Sequence, residues 1–286
     1  YSFLDKNFDN ESENNIINLK LDKKDDKISD VEIFVQSDNN SINIKELKKY
    51  LNIQVLDNLI KDQIINLNSN FTINVSIDDT FNFKKFAIKS NLNFDNLNIN
   101  YRSNFIKKYL TSFDNKIAIK NPQILFEYSN DIINLQLDGK YLLQNKEDNF
   151  FIKYKGNVNN FELYTLLDLD DSDFKIDEIQ YFKKKNIPSK LEISLNKSIN
   201  DFNLKKISFT ENKNYISLNN LYISNDLKLQ SVDKIDVNFF NSKGVQNNFQ
   251  IKKNSNNYQF VGNQIDGEKI IEKLLRSNNK TKISNF

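Results

Sequence analysis

The stretch Lys85-Phe86-Ala87-Ile88-Lys89-Ser90-Asn91-Leu92-Asn93-Phe94 decides how this chain folds. Phe86, Ile88, Leu92 and Phe94 share one parity, and Lys85, Ala87, Lys89, Asn91 and Asn93 stand between them. A β-strand sends successive side chains to opposite faces, so this spelling predicts a strand with one apolar and one wet side. The same alternation recurs outward in both directions. Before it come Ile17, Leu19, Leu21, then Val31, Ile33, Val35, then Phe71, Ile73, Val75, Ile77. After it come Leu97, Ile99, Tyr101; Ile124, Phe126, Tyr128; Ile133, Leu135, Leu137, Tyr141; and Phe150, Ile152, Tyr154. Leu191, Ile193, Leu195, then Ile235, Val237, Phe239, and Phe249, Ile251 complete the clearest set. With weaker stretches the count is roughly 18 strands, which at about 4.8 Å per neighbour would make one sheet on the order of 85 Å long.

Composition narrows the functions such a sheet can have. The 286 residues carry 40 basic and 38 acidic side chains, mixed along the chain, for a net charge of +2. That balance lacks the electrostatic footprint of a nucleic-acid binder. The densest basic run, Lys183-Lys184-Lys185, reads as a solvated loop. Apolar residues are 38% of the chain, with 23 Phe and 12 Tyr, so the buried material is aromatic and β-branched. No apolar run exceeds three residues, far short of the ~20 needed for a membrane helix. Met is absent even at position 1, which reads as a span cut from a longer protein, with any membrane anchor outside it.

With no His and no Cys, the common zinc sites, disulfides and Ser-His-Asp or Cys-His nucleophiles are excluded within this span. The five Gly never approach phosphate-loop spacing. Asp168, Asp170, Asp171 and Asp173 are the best metal candidates, but an EF-hand loop starting at Asp168 needs Gly where Asp173 stands and Glu where Ile179 stands. The cluster reads as a solvated turn. No catalytic residue, cofactor or metal is expected, and the chain does not read as an enzyme.

Asn is used 50 times while Gly and Pro are scarce. Asn tolerates the left-handed backbone, so pairs such as Asn219-Asn220 and Asn247-Asn248 are expected turn residues. Three segments switch to helical spacing. Ile44, Leu47 and Leu51 follow Asn43 and Glu46 as a capping-box variant; Phe161, Leu163, Leu166 and Leu167 follow Asn160; Ile270, Ile271, Leu274 and Leu275 follow Asp266 as N-cap. A weak subdivision is expected near 110–115.

The C-terminal run Tyr258-Gln259-Phe260-Val261-Gly262-Asn263-Gln264-Ile265-Asp266-Gly267-Glu268, leading into Ile270, Ile271, Leu274 and Leu275, resembles a signature of bacterial AsmA-like proteins, in particular the YhdP-type branch. In that family a strand ends in Gly, a short link leads to Asp, and an amphipathic helix with paired aliphatics follows. Gly262, Asp266, Ile270, Ile271, Leu274 and Leu275 are the matching positions. The resemblance implies a long β-groove in the periplasm of a Gram-negative cell, anchored in the inner membrane, that carries phospholipid to the outer membrane.

The expected fold is all-β and mainly antiparallel: an elongated curved sheet forming an open groove, with a few short α-helices, residues 1–286 being one section of it. Acyl chains of phospholipid are the expected partner, nucleic acid is not, and both membranes are reached through segments outside the span. The expected groove lining is Phe86, Ile88, Leu92, Phe94, Ile124, Phe126, Leu135, Leu137, Ile152 and Tyr154. The same rows would serve a structural or adhesive β-solenoid as closed, dry core, and parity alone leaves both readings open. A one-residue slip of register would move any of these sets to the opposite face.

Overall fold

Alternation of this kind forms strands because each strand can pair with the next and keep all apolar side chains on one side. The computed structural model describes residues 15–25, 28–45, 60, 62–78, 80, 82–110, 112–144, 146–199, 201–226, 228–255, 257–269 and 272. Its strands are β1 (Asn15–Asp25), β2 (Ile28–Asn43), β3 (Ile64–Asp78), β4 (Phe83–Phe94), β5 (Asn96–Asn100), β6 (Lys116–Ser129), β7 (Ile132–Leu142), β8 (Glu147–Gly156) and β9 (Phe161–Asp168). They continue as β10 (Phe174–Ile176), β11 (Tyr181–Lys183), β12 (Ser189–Lys197), β13 (Asp201–Glu211), β14 (Asn214–Ser224), β15 (Leu229–Phe240), β16 (Gln246–Asn254) and β17 (Asn257–Gln264). One short helix, α1 (Asn104–Tyr109), lies between β5 and β6.

Fifteen of these strands form one sheet in the order β1-β2-β3-β4-β6-β7-β8-β9-β12-β13-β14-β15-β16-β17, with β5 extending β4 alongside β6. All pairings are antiparallel, and the sheet does not close into a barrel. β10 and β11 form a separate two-stranded ribbon. The sheet is continuous across 110–115, since both β4 and β5 bond to β6.

The two rims of the sheet differ. At one rim β1 and β2, β3 and β4, β6 and β7, β8 and β9, β12 and β13, β14 and β15, and β16 and β17 follow one another with two to four residues between them. The β6–β7 turn there has Asn130 and Asp131 both at positive φ (50° and 60°), the left-handed pair that a two-residue hairpin needs. The opposite rim receives the long connections: 44–63, 101–115 with α1, 169–188 with the β10–β11 ribbon, and the C-terminal segment after β17. The 169–188 insertion folds down onto the apolar face and makes the aromatic core. Tyr181, 2% exposed, meets Phe209 and Phe239 edge-on at ring separations of 5.7 and 5.2 Å, and Phe174 meets Phe209 at 4.8 Å.

Some expectations are corrected here. Phe161, Leu163, Leu166 and Leu167 are not helical; they lie in β9. Leu163 and Leu167 pair with Tyr154 and Phe150 on one side and with Leu195 and Leu191 on the other, and this cross-strand burial overrides a spacing that fits either period. Asn219-Asn220 and Asn247-Asn248 sit inside β14 and β16 rather than in turns. Asn nonetheless supplies six of the nine non-glycine residues at positive φ among the described residues, namely 115, 121, 130, 186, 212 and 220. At the first expected helix, Ile44 and Lys45 are helical and the Asn43 side chain accepts from the Lys45 amide (3.0 Å); Glu46, Leu47 and Leu51 lie outside the described residues.

Candidate functional site

Strand register brings all ten expected lining residues onto one face. Leu92, Ile124, Leu137 and Ile152 stand opposite one another in a single row across β4, β6, β7 and β8. Phe126, Leu135 and Tyr154 form the adjacent row; Ile88 stands opposite Tyr128, Phe86 opposite Val75, and Phe94 opposite Leu67. These rows continue. The first passes through Thr165, Ile193, Ile207, Leu218, Ile235 and Ile251 to Phe260, so one apolar line crosses the molecule from β4 to β17 with a single hydroxyl in it. Most of these side chains are half-buried, and Phe86 is 43% exposed.

Bulges keep the face apolar where sequence parity changes. In β6, Asn121 (φ 46°) and Pro122 together oppose Gly139 of β7, so Ile119 and Ile124 share a face despite an odd spacing. A side chain at position 139 would put its Cβ 2.9 Å from Pro122 Cα, so only glycine admits the buried proline. A second parity change enters in β13, where Lys205 is the extra residue against β12, and Asn220 (φ 51°), bonded to Asp233 (3.0 Å), carries it through β14 so that Leu218 and Leu221 face one way.

Part of the apolar face is roofed. α1 is capped by Ser103, whose hydroxyl accepts from the Ile106 amide (3.1 Å), and it presents Ile106 and Tyr109 toward the sheet. With Leu110, Phe174 and Ile176 they cover a cavity of about 610 Å³ floored by Ile119, Leu137, Phe150, Ile152, Leu191 and Phe209. All of its lining side chains are aliphatic or aromatic. The Tyr141 hydroxyl is committed to the Asp168 carbonyl, and burial pushes its pKa up. Leu137 and Ile152 are the expected lining residues that reach this cavity; the other eight lie beyond it on the same face.

The roof is assembled from separate insertions. Lys108 of α1 pairs with Glu178, a hydrogen bond that raises the lysine pKa, and Ser112 Oγ donates to Asp173 (2.7 Å). Gln144 and Asp173 exchange two bonds of 3.1 Å. Gln180 Nε2 reaches Asp266 (3.2 Å), which also accepts from Asn241 (2.8 Å), and the Ser242 amide donates to the Gln180 carbonyl (2.8 Å). On the other flank Gln63 bonds the backbone of Asn98 in both directions (3.1 Å each). The insertions thus form a linked belt along one rim.

Lys183 is not solvated. It is 0% exposed, and its ammonium donates to the carbonyls of Ser172 (2.8 Å), Lys184 (3.0 Å) and Asp170 (3.1 Å). Burial lowers its pKa, with Glu211, Asp148, Asp170 and Asp171 opposing that shift. The acidic cluster is part of the same knot rather than an open turn, and its carboxylates diverge. Asp168 accepts from Asn149 (2.9 Å), Asp170 from the Ser189 amide (2.7 Å) and Asp173 from Ser112, while Asp171 pairs with Lys146 (3.3 Å). No group of three or more potential ligands among the described residues converges on one point. Asp148, also buried, has its pKa raised by desolvation and by the nearby Asp171 and Asp170 charges.

Of the family-motif positions, Gly262 lies within β17, two residues before its end and opposite Phe249, where a Cβ would lie 2.5 Å from the phenylalanine Cβ. Its bareness lets Phe260 stack on Phe249 at 5.2 Å. Asp266 accepts from the Glu268 amide (3.2 Å), as an N-cap does, and Glu268, Lys269 and Glu272 are helical. Ile270, Ile271, Leu274 and Leu275 lie outside the described residues. Sequence reading missed α1 and the roofing role of 169–188. Six residues are too few to display a helical period, and the Ser103 cap was the one available signal.

The sheet's other face carries a depression of about 430 Å³ walled in part by Asn70, Lys89, Glu127 and Gln136, with Lys89 and Glu127 paired at 3.0 Å. No family model, curated protein or solved structure matches the chain.

Proposed function

We propose that this chain is a non-enzymatic section of a periplasmic bridge that carries phospholipid between the inner and outer membranes of a Gram-negative cell along its apolar face. The observation that carries the reading is the set of same-face apolar rows running across an open antiparallel sheet. Each methylene leaving water contributes about 0.8 kcal/mol, so acyl chains need a continuous hydrocarbon surface to travel outside a bilayer. In this mechanism the chains slide along the rows while headgroups stay at the open rim. The resemblance of Gly262 and Asp266 to the AsmA-like signature supports the periplasmic setting.

A second reading is favoured by one specific feature. Around Tyr181 and Phe239 the apolar face is packed by the protein's own aromatic rings, as in a structural or adhesive β-solenoid with a dry core. Leu135→Asp separates the two. As a groove wall, the variant keeps its fold within about 1 kcal/mol and loses lipid in native mass spectrometry of gently extracted protein. As a closed core, it loses several kcal/mol, about what burying an unpaired charge costs. Wild-type protein that is stable and carries no co-purifying phospholipid overturns the lipid reading.

A further inference from the structure

Resting on the hydrocarbon-binding reading, the geometry points to the roofed cavity as a holding site for a single aliphatic chain, closed by the latch between α1 and the 169–188 insertion. It would be a station on the face rather than another stretch of open track. The lining argues for the ligand class. A peptide placed there would leave its backbone N–H and C=O groups without partners, and a charged or sugar headgroup would fare worse. Hydrocarbon has nothing to satisfy.

The volume argues for one chain. At about 30 Å³ per water-sized group such as a methylene, 610 Å³ holds on the order of 20 groups, enough for a single common acyl chain. The size also falls in the roughly 300–1,000 Å³ range of small-ligand sites. The roof argues for gating. Lys108–Glu178 and Ser112–Asp173 join two insertions that are more than sixty residues apart in the chain, and both contacts are exposed to solvent. A chain held beneath α1 has to part them or thread past them.

The test uses the 286-residue protein with dansyl-labelled undecanoate as probe. The chain has no Cys and no Trp, so each introduced residue is a unique reporter. Wild type is expected to bind one probe per chain. In Leu137→Cys, probe is expected to slow maleimide labelling at least tenfold, while the control Leu221→Cys, on the face but away from the cavity, is unaffected. Leu137→Trp fills the space and is expected to abolish binding at an unchanged unfolding midpoint. Lys108→Glu, which sets two like charges at the latch, is expected to speed probe release severalfold at the same stoichiometry.

Probe that binds without protecting Leu137→Cys overturns the holding site and leaves the apolar-face reading standing. No binding at all overturns both. Leu137→Trp that unfolds, with Leu137→Cys equally reactive with and without probe, identifies the region as closed core and also overturns the site. Release from Lys108→Glu at the wild-type rate overturns the latch.

Discussion

At the residue scale, the decisive side chains are those that reconcile a polar sequence with an apolar face. Lys183 illustrates it: its side chain is fully buried and its ammonium satisfies three carbonyls of the 169–188 insertion. Lys183→Met leaves those carbonyls unpaired, and a loss of about 3 kcal/mol in urea unfolding is expected. Asp148 supplies a pH prediction. Its pKa in the folded state lies above the ordinary 3.8, so the folded protein binds its proton more tightly than the unfolded chain does. The contribution is therefore fully present below 3.8 and is lost as pH rises through the folded value. Asp148→Asn abolishes that dependence, so its stability relative to wild type should improve as pH rises across this window, as followed by urea midpoints at successive pH values. Asn220 could be anticipated only in kind. The surplus of Asn announces left-handed positions, but its place in the middle of a strand emerges only from the pairing of β13 with β14. Asn220→Val should cost about 1–2 kcal/mol, because a β-branched residue resists φ of 51° and the bond to Asp233 is lost.

At the element scale, strands were legible and their accessories were not. Most strands announce themselves by period, since half their side chains meet the apolar face of their neighbours, whereas β9 has a spacing that fits a helix as well. Bulges leave a trace too: apolar residues change parity between Ile119 and Ile124 and again between Leu218 and Leu221. The 169–188 insertion has no period, because its residues serve one-off partners such as Phe174 on Phe209 and Lys183 on backbone carbonyls. Replacing 170–187 by an Asn-Gly turn should leave strand content by circular dichroism nearly unchanged. The same variant should uncover Phe209, Val237, Phe239 and Phe249, seen as a severalfold rise in binding of a hydrophobic dye. Gly262→Val tests the last strand. Its side chain would overlap Phe249 and displace the Phe260 stack, so a loss of about 1–3 kcal/mol and faster proteolysis at 255–264 are expected.

At the scale of the whole molecule, nearly every strand pairs with its sequence neighbours, so the sheet is close to a one-dimensional stack whose stability is a sum of neighbouring interfaces. Amide exchange should then be slowest in β7–β9 and β12–β16, where the insertion covers the apolar face, and fastest in β1 and β17, which end the sheet among the described residues and whose Leu19, Leu21, Tyr258 and Phe260 are exposed. Uniform protection along the stack would contradict that picture. The sequence by itself determined the strand class, the antiparallel meander and the membership of the apolar face, because a period of two is written locally and survives any register that keeps that face together. Only the tertiary structure decided that the sheet stays open, and that the 101–115 and 169–188 connections meet at one rim and overhang a cavity above Leu137 and Ile152. Those outcomes rest on contacts such as Lys108–Glu178 and Ser112–Asp173, between residues far apart in the chain, for which no local pattern exists.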